Sequence, residues 1–456
     1  MLEALNRDGE QIRAVRTHRY NDALVVEQYA LSNGLTVLYL HDPQAPIFSY
    51  QTWFRVGSGH ERPGKTGMAH LFEHLMFKGT EKHPEGVFDR TLEEIGARNN
   101  AATWLDWTFY YEDVPAAHLE TVIALEADRL ENMRLESDQL ESEREVVINE
   151  RLERTDNDPD GKLSEVLWKT AYTVHPYQHP TIGWMDDIKG ITLEDCLTFH
   201  KTYYAPNNAV LVVVGDVDRA TLFGHLVKYY GHLESAEIPA LEARAEPAQT
   251  EVRRAEVTLE LSADKLLMGY HAPAITDDAY PALEVINEIL SEGDSARLQR
   301  ALITDGELAV GFGAFVPPFR DPGLFEISVD MRPGHTAEEG EAVVLAELAR
   351  ISTEGITPQE LSKALNKLET RFYLQLRTAQ QKANGLGFWE TTAGDFTGLF
   401  TAGERYQKVT AAEVQALAQR IFRPEGRTVI IGRAPKDDPE AAREPEAAQP
   451  VEGEGQ

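Results

Sequence analysis

The second half of this 456-residue chain repeats the plan of the first, and that repetition limits the fold more than any other feature. Ile191-Thr192-Leu193-Glu194-Asp195 opens a helix-like stretch that ends at Ala205-Pro206-Asn207-Asn208 and runs into the apolar residues 209–214. Val409-Thr410-Ala411-Ala412-Glu413 opens another, which ends at Arg423-Pro424-Glu425-Gly426 before the apolar residues 428–431. The helical pattern before Thr155-Asp156 likewise has a counterpart over 358–377. A repeat on this scale implies two related units, and the chain is too long for one ordinary core. The expectation is an α+β protein with related domains over 1–233 and 251–434, joined by a Glu/Ala/Pro-rich linker over 234–250. Residues 435–456 hold almost no large apolar side chain, a composition that predicts a disordered acidic tail.

Within the first half, residues 25–40 read as two strands about a turn at Ser32-Asn33-Gly34, and 47–56 as a further strand. Over 67–77 the apolar residues Met68, Leu71, Phe72, Leu75 and Met76 recur at helical spacing. A strand is predicted over 101–111, helices over 116–132, 138–154 and 193–204, and a buried strand over 209–214.

The 67–77 helix carries the chemistry. His70 and His74 are four apart, so both imidazoles leave one face, and Glu73 leans over the same edge. Two histidines with a neighbouring carboxylate suit a catalytic zinc site, in which three protein ligands leave a position for water. His-x-x-Glu-His is the inverse of the commoner His-Glu-x-x-His peptidase motif, with the glutamate placed to take a proton from water. The single cysteine, Cys196, excludes a disulfide framework and any Cys-based metal site. Any metal must then be held by His and carboxylates; a carboxylate on another rigid element is the expected third ligand, and the 138–154 helix offers Glu143 and Glu150, seven apart on one face. One would ligate and the other would hold a histidine in place.

The net charge of −31 opposes general nucleic-acid binding, and no run approaches the ~18–20 apolar residues of a bilayer span. The opening residues lack the basic start and apolar core of a secretory signal, so a cytoplasmic address is the default expectation. A leader trimmed from the sequence would look the same and would make the address periplasmic.

These residues resemble the pitrilysin/insulinase family of inverted-motif zinc peptidases, and most of all its short-chain branch, which includes the mitochondrial processing peptidase and bacterial relatives. The likeness is most specific in Gly67-Met68-Ala69-His70-Leu71-Phe72-Glu73-His74-Leu75-Met76-Phe77-Lys78-Gly79-Thr80, in Asn100-Ala101-Ala102-Thr103, and in Val147-Ile148-Asn149-Glu150. It implies two homologous domains, each a mainly antiparallel sheet backed by helices, and one Zn2+ per chain held by His70, His74 and Glu150. It also implies that Glu73 activates water and Glu143 supports the site. Peptide substrates would add a strand along Asn100, Ala101, Ala102 and Thr103.

The same resemblance exposes a gap. Active members carry, in the second domain, an arginine and a tyrosine that hold the substrate backbone; here Ile303 and Val310 align with them. Glu284, Asn287 and Glu288 fall where His70, Glu73 and His74 would repeat, so the chain is expected to have one metal site. It is therefore expected to be the catalytic subunit of a heterodimer whose homologous partner supplies the Arg/Tyr clamp, with a homodimer as the alternative. A non-catalytic scaffolding subunit is the competing class, opposed by the intact metal cluster. His175 and His179, flanked by prolines, read as a structural loop, and Cys196 as a small core residue.

Overall fold

Apolar alternation builds two sheets, one from each half, in the computed structural model, which describes residues 2–7, 9–241 and 244–435. The first sheet comprises β1 (Ile12–Arg19), β2 (Val25–Leu31), β3 (Thr36–His41), β4 (Ile47–Phe54), β5 (Arg98–Thr103), β6 (Thr108–Pro115) and β7 (Ala209–Gly215). The second comprises β8 (Arg253–Thr258), β9 (Lys265–His271), β10 (Ala309–Phe315), β11 (Leu324–Met331) and β12 (Arg427–Arg433). Their orders are β1-β2-β3-β7-β4-β6-β5 and β10-β11-β9-β12-β8. Every neighbouring pair is antiparallel except β3 with β7 and β8 with β12. The run β3-β7-β4-β6-β5 thus recurs, strand for strand, as β8-β12-β9-β11-β10, which is the repeat seen in the sequence.

All seven residues of β7 are buried, and the two faces have different owners. Leu211 and Val213 pack with the helices of the first half. Val210, Val212 and Val214 pack instead against Ala383, Leu386, Phe396, Leu399 and Phe400 from the second half. Helix Ala379–Thr392 crosses over to cover that face, and Gly387 is what lets it approach: a Cβ there would lie 2.1 Å from Trp53 Nε1. The exchange is mutual. Helix Pro159–Ala171 of the first half sends Leu163, Leu167 and Ala171 onto Leu267, Leu324 and Ile430 of the second sheet. Each buried leucine contributes roughly 1.5–3 kcal/mol, so each half supplies apolar cover that the other's sheet lacks.

Three expectations need correction. The strand expected over 101–111 is a hairpin, β5 and β6, folded back at Trp104-Leu105-Asp106-Trp107, where Trp104 N–H donates to Trp107 O at 2.9 Å. The buried Asp106 holds this turn by accepting from Tyr177 Oη at 2.7 and 2.9 Å and from Arg320 N–H at 2.9 Å. No element was expected before residue 25, but β1 lies there, a charged strand at the sheet edge with one fully buried residue, Ile12. The helix expected over 138–154 is Ser137–Arg151, followed by a wider π-type turn at Leu152–Asp156.

Residues 234–241 and 244–250 form neither helix nor strand. Of the expected tail, 435–456, all but Pro435 lies outside the described residues. Cys196 is fully buried in the first core. Among the described residues no helix is long and apolar enough to cross a membrane.

Candidate metal centre

Helix Met68–Leu75 buries Met68, Ala69, Leu71, Phe72 and Leu75, which leaves His70, Glu73 and His74 along its uncovered edge. It starts at Gly67, whose φ of 87° is left-handed and whose missing Cβ would lie 2.5 Å from Ile182 O. Gly67 has no side chain to cap the helix, and the buried Glu61 does so from outside. Its carboxylate accepts from Gly67 N–H at 2.9 Å and Ala69 N–H at 2.8 Å. Burial pushes the Glu61 carboxyl well up, and these backbone donors work against that rise. Negative charge at this end also suits the helix dipole.

The partner helix, Ser137–Arg151, buries Leu140, Glu143, Val147 and Arg151 and turns Glu143 and Glu150 toward the histidines. Glu150 Oε2 stands 3.5 Å from both His70 Nε2 and His74 Nε2. Glu150 Oε1 pairs with Arg154 at 3.0 Å. Behind His74, Nδ1 lies 3.2 Å from Glu143 Oε2, and Glu143 Oε1 is 2.5 Å from Lys78 Nζ.

The donor set fits zinc. Ligands at about 2.0–2.1 Å in a tetrahedron lie roughly 3.3 Å apart, near the 3.5 Å seen here and long for a direct hydrogen bond. Among the described residues, His70, His74 and Glu150 are the one group of three or more His, Cys, Asp or Glu side chains whose ligand atoms all lie within 4.8 Å of one another. Burial, then the neighbouring His74, drives the His70 imidazole down to about 4. Burial opposes charge on His74 too, but Glu143 and Glu150 outweigh it and hold that imidazole up at about 9.

Glu73 faces Thr103 of β5. Burial raises its carboxyl, and the Thr103 hydroxyl, itself sealed from solvent, offsets part of the rise. A cleft of about 430 Å³ opens there, lined by Glu73, His74, Phe77, Lys78, Asn100 and Glu143 among others. β5 is the outer strand of its sheet, bonded only to β6, so its second edge carries no strand. Ala101 and Ala102 lie between Asn100 and Thr103 on that strand, packed against different cores.

Among the described residues, the second half holds no counterpart of this donor set. Glu284, Asn287 and Glu288 sit on helix Tyr280–Ser291, between β9 and β10 as the motif helix sits between β4 and β5. Ile303 packs partly buried on the second core, and Val310 is 66% exposed on β10. The nearby arginines are engaged elsewhere: Arg297 grips Glu360 at 2.7 and 3.0 Å, and Arg300 pairs with Asp305 at 3.2 Å. His175 and His179 stand apart from the donor group, 3.6 Å from Asp321 and Glu61 respectively. Sequence reading gave no role to Glu61, Lys78 or Arg154, though Lys78 and Arg154 each lie four positions beyond a candidate ligand, His74 and Glu150.

Residues 36–184 match the family model described as insulinase (peptidase family M16), and residues 190–368 match that described as peptidase M16 inactive domain. The chain is 31% identical over 409 residues to zinc protease PqqE of Helicobacter pylori, covering 89% of this chain and 92% of that one. A crystal structure of a protease from H. pylori superposes with a TM-score of 0.86 at 30% identity, covering 90% of this chain and all of that one. The periplasmic protease PqqL of Escherichia coli shares the fold at a TM-score of 0.73 and 19% identity, and there this chain spans 52% of the longer protein.

Proposed function

The chain belongs to the insulinase family of peptidases (peptidase family M16), and from that premise we propose that it is a zinc metalloendopeptidase acting on unfolded or short peptides. The observation that carries this reading is the convergence of His70, His74 and Glu150 beside Glu73, which with His74 and Asn100 of the outer strand β5 lines a cleft. Zinc bound by those three residues would supply a Lewis acid that acidifies water and polarises the scissile carbonyl. The protein's own part is positioning and proton transfer. β5 offers unpaired backbone groups to an extended peptide, which gives affinity with loose sequence preference. Glu73 takes the proton of the attacking water on its carboxylate and returns it to the departing amine; a carboxyl raised by burial suits both steps. Glu143 holds His74 through Nδ1 and leaves Nε2 for the metal.

We further propose that the chain is the catalytic member of a pair, its homologous partner providing the backbone clamp. Ile303 and Val310 have no side-chain donor, and Arg297 is committed to Glu360. A longer relative whose length this chain half fills supports pairing of such units.

The test is cleavage of a quenched fluorescent peptide by the purified chain at measured full zinc occupancy. Cleavage that Glu73→Gln reduces by about 10²–10⁴-fold, with zinc retained, supports the peptidase reading and makes the chain self-sufficient. A zinc-loaded chain that is silent alone but active with a homologous subunit supports the pair. Equal rates for wild type and Glu73→Gln would remove Glu73 from the mechanism.

A further inference from the structure

The second half keeps the layout of the metal centre and changes its chemistry. Glu288, on helix Tyr280–Ser291, pairs closely with Arg371 and lies 3.4 Å from Lys367, both on helix Pro358–Leu374. Cationic side chains thus stand where the first half gathers carboxylates for a metal. Glu284, one turn earlier, takes a hydrogen bond from Tyr406, but its Oε2 is sealed from solvent and has no partner. It borders a cavity of about 410 Å³ whose walls include the rings of Trp107, Tyr280, Phe372, Phe388, Trp389 and Tyr406. Arg371 also reaches this cavity, but its charge is answered by Glu288.

We propose that this cavity is a second binding site, which takes an organic ammonium ion with an apolar body, its charge on Glu284 and its body among the aromatic rings. Ring faces are negative and attract cations, and Glu284 supplies the counter-charge. Both features reject a carboxylate, and a neutral ligand of the same shape forgoes the ion pair. Burial pushes the Glu284 carboxyl up to about 7, with the Tyr406 hydrogen bond and the charges of Arg371 and Arg405 working against it. The site shares no residue with the cleft at Glu73, so it stands or falls independently of the peptidase reading.

Trp107 and Trp389 line the cavity, so intrinsic fluorescence reports its filling. The full zinc-loaded chain is titrated with phenethylammonium and with phenethyl alcohol, its uncharged analogue. We expect saturable quenching by the amine and at least about tenfold weaker binding of the alcohol. Glu284→Gln should weaken the amine at least about tenfold, and Ala402→Trp, which puts a large ring into the cavity from its wall, should abolish it. Thermal unfolding of both variants checks that they fold. Displacement of the amine by Nα-acetyl-lysine amide, but not by its Nε-acetylated form, would make peptide lysines a source of the ligand; without displacement the ligand is a free amine. Equal binding of amine and alcohol, or amine binding unchanged in both variants, overturns the proposal.

Discussion

Which nitrogen of a histidine faces a metal depends on what holds the other. At His74 that holder is Glu143, itself fixed by Lys78, so two side chains decide how the imidazole points. We expect Glu143→Gln to lower zinc affinity by about 10–100-fold, read by competition with a chromogenic chelator. Asp128 shows the same logic away from the metal. Burial would raise its carboxyl, but Thr80, His83, Asn132 and Lys82 outweigh that and hold it down at about 2. A carboxyl depressed on folding stabilises fully above its unfolded pKa of about 4, and that stability is lost as pH falls toward about 2. The stability advantage over Asp128→Asn should therefore shrink by on the order of 1–2 kcal/mol between about pH 5 and pH 2 in denaturant titrations. His70, Glu73 and His74 were legible in sequence because their geometry is local to one helix. Glu150 and Glu143 could be narrowed by spacing to one helix face, and the family resemblance assigned their roles. Glu61 was not legible, because nothing in its neighbourhood says that its carboxylate ends beneath a helix that starts six residues later.

The motif helix shows how an element is aimed. Gly67 turns the chain through a left-handed conformation against the 182–183 loop, and Glu61 replaces the cap that glycine lacks. Gly67→Ala should cost at least about 2 kcal/mol, from the unfavourable φ and the clash with Ile182 O, and should weaken zinc binding as the helix shifts. Calorimetry and chelator competition on one preparation would show both effects together. Elements with clear apolar periodicity, such as β2, β3, β4 and the motif helix, were readable from sequence. β1 was hidden because it is an edge strand made largely of charged and exposed residues, which keep an edge from pairing further. The turn between β5 and β6 was hidden because it has no glycine or proline, and Asp106 gets its partners from Tyr177 and Arg320, 71 and 214 residues away.

At the scale of the whole molecule, the repeat was legible and the helix exchange was not. The run Ala209-Val210-Leu211-Val212-Val213-Val214 does say that β7 is covered on both faces. It does not say that one cover comes from residues 379–400. Because of that exchange, residues 1–233 expressed alone should expose Trp53, Val210, Val212 and Val214 and behave as an expanded, dye-binding state. Co-expression with residues 251–435 should restore near-ultraviolet circular dichroism; a native spectrum from either piece alone would contradict this. The exchange also bears on descent. A duplicated gene whose second copy has lost its metal ligands would ordinarily be free to shed that copy. Here deletion would unroof the sheet of the copy that carries His70, His74 and Glu150, so each copy is bound to the other's inheritance by the cover it lends.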